Sequence, residues 1–151
     1  MKHELDHDLC ERYPKIFKNR TASIQESCMA WGFDCGDGWF NILNKLCQNI
    51  QNHIDWQNEH RARLLIDNPH NSEIPEEVAQ VVADQVKEKF GTLRFYYTGG
   101  DDRIDGMVRM AESMSAVTCE TCGAPGKLRG DRWVYTACDE HTQEQDRDTV
   151  T

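Results

Sequence analysis

Three thiols and one imidazole carry the clearest chemistry in this sequence. Cys119 and Cys122 stand two residues apart, and so, further along, do Cys138 and His141. A tetrahedral Zn²⁺ takes four such ligands, and a two-residue spacer lets one tight turn offer both members of a pair to the same ion. Four protein ligands leave no position open for water or substrate, so the expected role of the zinc is structural. No catalytic motif of comparable strength stands elsewhere in the chain.

Other groupings have simpler alternatives. Asp101, Asp102 and Asp105 could hold Mg²⁺, but helix capping and dipole complementarity account for the first two without a metal. Cys28, Cys35 and Cys47, with His53, could form a second metal site. Their spacings fit no common one, and they read as small buried thiols. Arg94 and Tyr96, near Lys87 and Lys89, are candidates for an anionic ligand or acidic partner, and a solvated sheet face explains them equally well. Lys127, Arg129 and Arg132 are candidate phosphate contacts, with a solvated strand surface as the plainer reading. No histidine lies between Cys122 and Cys138. A nuclease of the kind that activates water with a hairpin histidine would therefore lack its base.

The segment 31–40 sets three glycines among four aromatics. As a recognition loop, Trp31, Phe33 and Trp39 would anchor a partner while Asp34 and Asp37 met a cation or a donor. As a turn between helices, the same aromatics would plug the core, the commoner fate of aromatics beside a turn.

These residues need a scaffold. Leu5, Leu9, Tyr13, Ile16 and Phe17 allow a short amphipathic helix broken near Pro14. Thr21 or Ser23 would cap a second short helix reaching Met29, with Ile24 and Cys28 on one side. From 38 to 65, Trp39, Leu43, Leu46, Cys47, Ile50 and Ile54 draw a buried stripe at helical spacing, and the polar stretch after Trp56 projects into solvent. Residues 73–90 read as a helix: Pro75 in its first turn, acids at its start, Lys87 and Lys89 near its end, Gly91 as its stop. Residues 92–98 alternate as a strand with Leu93, Phe95 and Tyr97 on one side. Asp101 or Asp102 then caps a helix with Ile104, Met107, Val108, Ala111 and Met114 inward. Residues 127–129 and 133–136 suit two strands joined at Gly130-Asp131, and Cys138 and His141 would open a last helix. The tail after His141 is polar.

The expected architecture is α+β: a helical N-terminal part with a small antiparallel sheet, and a C-terminal zinc module. A core over 1–117, with one strand near 92–98, would be followed by a zinc-binding module and polar tail over 118–151. The net charge is −9 across 151 residues. Free nucleic acid would be repelled by most of such a surface, whereas a basic protein partner would be attracted. Solubility alone also accounts for the acidity. No apolar run is long enough for a membrane span, residues 1–7 lack a signal-peptide pattern, and Cys10, Cys28, Cys35 and Cys47 read as reduced thiols. These features point to a cytoplasm.

The order of knuckle, hairpin and final ligand pair resembles the treble-clef class of zinc modules, which hosts many unrelated functions. The runs at 85–96 and 31–39, with the Cys-x-x-Cys-Gly-Ala-Pro-Gly knuckle, together resemble an uncharacterised family of small phage and prophage proteins. That resemblance implies an accessory protein acting in a bacterial host cell, binding and inhibiting a host or defence protein, and it carries no catalytic residues. Two other functions are weighed. One is a nucleic-acid-associated regulator using the zinc hairpin. The other is a binder of a small nucleotide signal in a pocket of Arg94, Tyr96 and the aromatic loop.

Overall fold

In a computed structural model of the chain, residues 1–143 are described. The fold is α+β. Its elements are α1 (His3–Arg12), β1 (Phe33–Asp34), α2 (Phe40–Asp67), β2 (Ala79–Lys89), β3 (Thr92–Gly100), α3 (Asp102–Ser115), β4 (Lys127–Arg129) and β5 (Tyr135–Ala137). Single 3₁₀ turns lie at Lys18–Thr21, Cys28–Trp31 and Asp37–Trp39. One sheet has the order β1-β2-β3, with β1 parallel and β3 antiparallel to β2; β4 and β5 form an antiparallel pair of their own.

α2 forms where its periodic stripe lies. Leu43, Leu46, Cys47, Ile50 and Ile54 are buried along one face, and Trp39 is fully buried just before the helix. α1 stops before Pro14, as a proline that blocks the helical conformation of its predecessor requires. Its Asp6 is buried against Arg20, whose Nε lies 3.0 Å from Asp6 Oδ1 and whose Nη1 donates to Ala30 O at 3.0 Å. That one guanidinium ties α1 to the segment before β1.

The helix expected up to Met29 is a single turn. Glu26 Oε2 accepts from Ser23 N at 3.1 Å and Ser23 Oγ accepts from Gln25 N at 3.3 Å, but Ser27 is extended (φ −152°) and ends the turn. Ile24 and Cys28 consequently face solvent, and Met29 is the buried residue there.

The larger correction concerns residues 73–90. This segment contains β2, the central strand of the sheet, and no helix. Its buried side chains are Val78, Val81, Ala83 and Val86, spaced three, two and three residues apart. A regular strand buries every second residue. Here register shifts between Ala79 and Val82 and between Ala83 and Gln85 each insert an extra step, so the pattern imitates a helix. Ala83 N, beside the second shift, donates to Ile16 O at 2.8 Å. Gly91, expected as a helix stop, is instead the second residue of a tight hairpin. Phe90 and Gly91 both have positive φ (54° and 78°), as a two-residue hairpin turn demands. β3 follows the expected alternation, with Leu93 and Phe95 buried and Tyr97 half-buried.

α3 is capped by Asp101, whose Oδ1 accepts from Ile104 N at 3.0 Å. Ile104, Val108 and Ala111 face the core; Met114, expected inward, is 47% exposed. No helix among the described residues is long and apolar enough to cross a membrane.

The other oxygen of Asp101 reaches His53 Nε2 at 2.7 Å, joining the start of α3 to the middle of α2. Burial would raise the Asp101 carboxyl. Hydrogen bonds from His53 and from the Ile104 and Arg103 amides outweigh it and hold the group below its ordinary value. A folded-state value below the unfolded one adds stability above about pH 4, and that stability is lost as pH falls through the folded value. Asp101→Ala should therefore cost roughly 1–2 kcal/mol at neutral pH, from the lost cap and the stranded His53. Urea unfolding of both proteins should show this difference shrinking on acidification; a difference independent of pH would contradict the assignment.

Candidate metal centre

The four candidate ligands are brought together by backbone hydrogen bonds that close two turns. After α3, Gly126 N donates to Val117 O at 2.9 Å, Cys119 N to Ala124 O at 2.8 Å and Gly123 N to Cys119 O at 2.8 Å. These bonds fold 117–126 into a knuckle, and Gly123 (φ 79°) supplies the left-handed residue it needs. Glu120 N donates to Thr136 O at 3.0 Å, which sets the knuckle beside β5. β5 then delivers Cys138. His141 N donates to Cys138 O at 3.3 Å, so the second pair sits on a turn where the sequence suggested the opening of a helix. Residues beyond 143, including most of the polar tail, lie outside the described residues.

The donor atoms of Cys119, Cys122, Cys138 and His141 all lie within 4.8 Å of one another. Cys122 Sγ and Cys138 Sγ are 3.8 Å apart, and His141 Nδ1 is 3.2 Å from Cys138 Sγ and 3.7 Å from Cys119 Sγ. A tetrahedral ion with thiolate bonds of about 2.3 Å and an imidazole bond of about 2.0 Å sets edges of about 3.8 Å between sulfurs and about 3.5 Å between sulfur and nitrogen. The Cys122–Cys138 and Cys119–His141 separations lie close to those edges and the Cys138–His141 one is shorter, so the cluster is compatible with a four-coordinate metal ion, with Nδ1 as the nitrogen ligand.

Electrostatics agree. Desolvation would raise the Cys119 thiol, but the amides of Cys138, Cys122 and Thr121 outweigh it and draw it down to about 6. The Ala124 amide would lower the Cys122 thiol, but desolvation and the crowding of the Cys119 and Cys138 sulfurs raise it overall. A thiolate is thus favoured at Cys119 and disfavoured at Cys122.

The knuckle is seated on the glycine-rich loop. Gly38 N donates to Glu120 O at 2.7 Å, Gly36 N to Glu120 Oε1 at 2.9 Å and Trp39 Nε1 to Thr118 O at 2.8 Å. A Cβ on Gly38 would sit 2.1 Å from Cys119 O and 2.5 Å from Gly123 N; on Gly36 it would sit 2.2 Å from Glu120 O. Both positions must be glycine because another backbone occupies the space of a side chain. A second seat lies at the β2–β3 turn, where Thr136 Oγ1 donates to Gly91 O at 2.6 Å. Glu120 went unnoticed in the sequence. Burial chiefly raises its carboxyl, and the Gly36 amide partly offsets this. Its only sequence signal is a carboxylate inside a ligand pair.

The structure divides the remaining candidates. Trp39 and Phe33 are core side chains, Phe33 edge-on to Phe17 at 4.9 Å. Asp37 accepts from Lys2 N at 2.7 Å, and that bond first among several lowers its carboxyl. Trp31 stays 72% exposed, and Asp34 is exposed beside it on β1. Arg94 is turned back on its own strand, donating to Thr92 Oγ1 and Leu93 O. Arg94 and exposed Tyr96 lie on β3, separated by β2 from the aromatic loop at the opposite sheet edge. Arg129 donates to Ala137 O and pairs with Asp139, whereas Lys127 and Arg132 are exposed.

Among the described residues no other set of three or more His, Cys, Asp or Glu donors converges, so neither the second cysteine grouping nor the Asp101 cluster forms a metal site. Cys35 and Cys47 are buried, and burial pushes both thiols up, Cys35 to about 12; Cys28 is exposed. Burial and the neighbouring Asp6 likewise push the half-buried Cys10 up to about 12. Comparison with family models, with curated proteins and with solved structures gives no match.

If the glycine loop is the seat of the knuckle, Gly38→Ala should destabilise by about 2–3 kcal/mol, in the range of an overpacked core, although alanine is otherwise the better tolerated residue. Urea unfolding measures the loss, and hydrogen exchange should place it at the amides of Gly38, Glu120 and Gly126. An unchanged midpoint would contradict the seating.

Proposed function

We propose that this chain is a small zinc-stapled binding protein. Three thiolates and one imidazole at tetrahedral spacing suit Zn²⁺ above the harder divalent ions. The observation that carries the reading is that four protein donor atoms converge within 4.8 Å of one another; an ion held by all four would have no position left for substrate. The metal then holds a surface in shape, in a module whose order of knuckle, hairpin and second ligand pair is treble-clef-like.

Recognition falls to Trp31 and Asp34. The other aromatics of the loop are committed to the core, yet Trp31 is 72% exposed and shares a shallow pocket with Asp34, Gln85 and Cys28. An exposed indole beside a carboxylate suits a cationic side chain of a partner, and a net charge of −9 would steer a basic partner toward it. We take the partner to be a host or defence protein, and the chain to be a phage accessory protein that blocks it in the bacterial cytoplasm. The nucleic-acid alternative is weaker, because Arg129 is already engaged and the cations left on that edge are Lys127 and Arg132.

Two measurements test this. Metal analysis should find one zinc per chain, and chelation should lower the thermal midpoint by ten degrees or more, on the order of several kcal/mol for a structural site. Affinity capture from bacterial lysate should retain a basic protein on the wild-type chain and lose it on Trp31→Ala, which should still bind zinc, with affinity falling at least about tenfold. Equal capture by both proteins, or none by either, would contradict the recognition role.

A further inference from the structure

The cluster exposes its thiols unevenly. Cys119 is fully buried, Cys138 is half-buried and Cys122 is exposed on the rim of the knuckle. Cys119 is also fixed at its backbone. Its N–H donates to Ala124 O, its carbonyl accepts from Gly123 N, and the next residue, Glu120, is bonded to both Gly38 and Thr136. An oxidant arriving from solvent therefore meets Cys122 first. The sulfur 3.8 Å from Cys122 Sγ is that of Cys138, which belongs to the other ligand pair.

Those two sulfurs stand about 1.8 Å beyond the about 2.0 Å of a disulfide, a gap that side-chain rotation closes when no ion holds them at a tetrahedral edge. A bond between them would join the knuckle to the end of β5, the same two segments that a metal ion would join. The loop it closes holds residues 123–137, and so the whole β4–β5 hairpin. The other ties of the module, from Glu120 N to Thr136 O and from Thr136 Oγ1 to Gly91 O, need no metal.

We propose that the module has two alternative staples: a metal ion when reduced, and a Cys122–Cys138 disulfide after reaction with a hydroperoxide. The proposal rests on the zinc reading above and adds a redox-modification site to it. The Cys122 thiolate attacks the hydroxyl oxygen of the peroxide, the O–O bond breaks, and hydroxide or alkoxide leaves, which gives a sulfenic acid. The Cys138 thiolate then attacks that sulfur and expels hydroxide. Two thiolates lose two electrons in all, and the peroxide bond takes them up. With two of its four ligands consumed, the site no longer holds a divalent ion. A dithiol reverses the exchange, returning both thiols as it becomes a disulfide itself.

The test treats the dilute zinc-loaded chain with hydrogen peroxide, reads released zinc with a colorimetric chelator, and maps the bridge by peptide mass spectrometry. One zinc should be released for each bridge formed, the chain should lose the mass of two hydrogens, and Cys122 should be found linked to Cys138. The oxidised, metal-free chain should melt at least about 5 °C above the reduced, chelated chain. Dithiothreitol with zinc should restore the starting midpoint. Cys119→Ser and Cys122→Ser each remove one ligand, so the bridge alone tells them apart. Cys119→Ser should still form it, and Cys122→Ser should form any bridge at least about tenfold more slowly. A wild-type bridge through Cys119, zinc released with no bridge, or an oxidised chain no more stable than the reduced metal-free one would overturn the proposal. A chain that holds no zinc beforehand would contradict the zinc reading instead, and the position of the bridge in it would still decide this one.

Discussion

Everything in the C-terminal quarter depends on one close contact, that of the Cys119–Glu120 backbone against Gly36 and Gly38. Two carbonyls occupy the volume where side chains would otherwise stand, at 2.1 and 2.2 Å from the missing Cβ positions. The contact places Cys119 under the core, fully buried, and leaves Cys122 at the surface. Cys138 and His141 reach the same point because Glu120 N is bonded to β5 at Thr136 O. The ligand set is therefore assembled from outside as well as by its own loop. The glycine loop, the end of α3 and the β4–β5 hairpin meet there, and a metal ion would lock all three.

That arrangement would give a bound metal a wider reach than its own turns. The knuckle is bonded to Gly36, Gly38 and Trp39, and the hairpin to Gly91. Trp39 opens α2, the helix that carries most of the buried stripe, and Gly91 closes the β2–β3 hairpin at the centre of the sheet. Loss of the ion would thus be felt at two distant points of the core. Small cores benefit most from this kind of cross-link.

Much of this was legible in the residues. The ligand set, the α2 stripe, the Asp101 cap and the alternation of β3 each follow a local rule that the fold obeys. What misled was tertiary. β2 imitates a helix because two bulges stretch its period from two toward three, and a bulge is visible only once the partner strand is known. Phe90 at positive φ is an unusual choice for a hairpin turn, which hid that turn. Ser23 does cap a turn through Gln25 N, but the chain extends at Ser27, so a good start signal led nowhere. The loop at 31–40 held both its readings at once: Phe33 and Trp39 fill the core, Trp31 stays outside, and Gly36 serves a residue 84 positions away that no local pattern could point to.

The central claim is that three sulfurs and one nitrogen hold a single ion with no open position. X-ray absorption at the zinc edge of the purified chain reads this first shell directly. The account requires three sulfur neighbours at about 2.3 Å and one nitrogen at about 2.0 Å. A shell containing oxygen, a lower sulfur count, or protein with no zinc bound would contradict it.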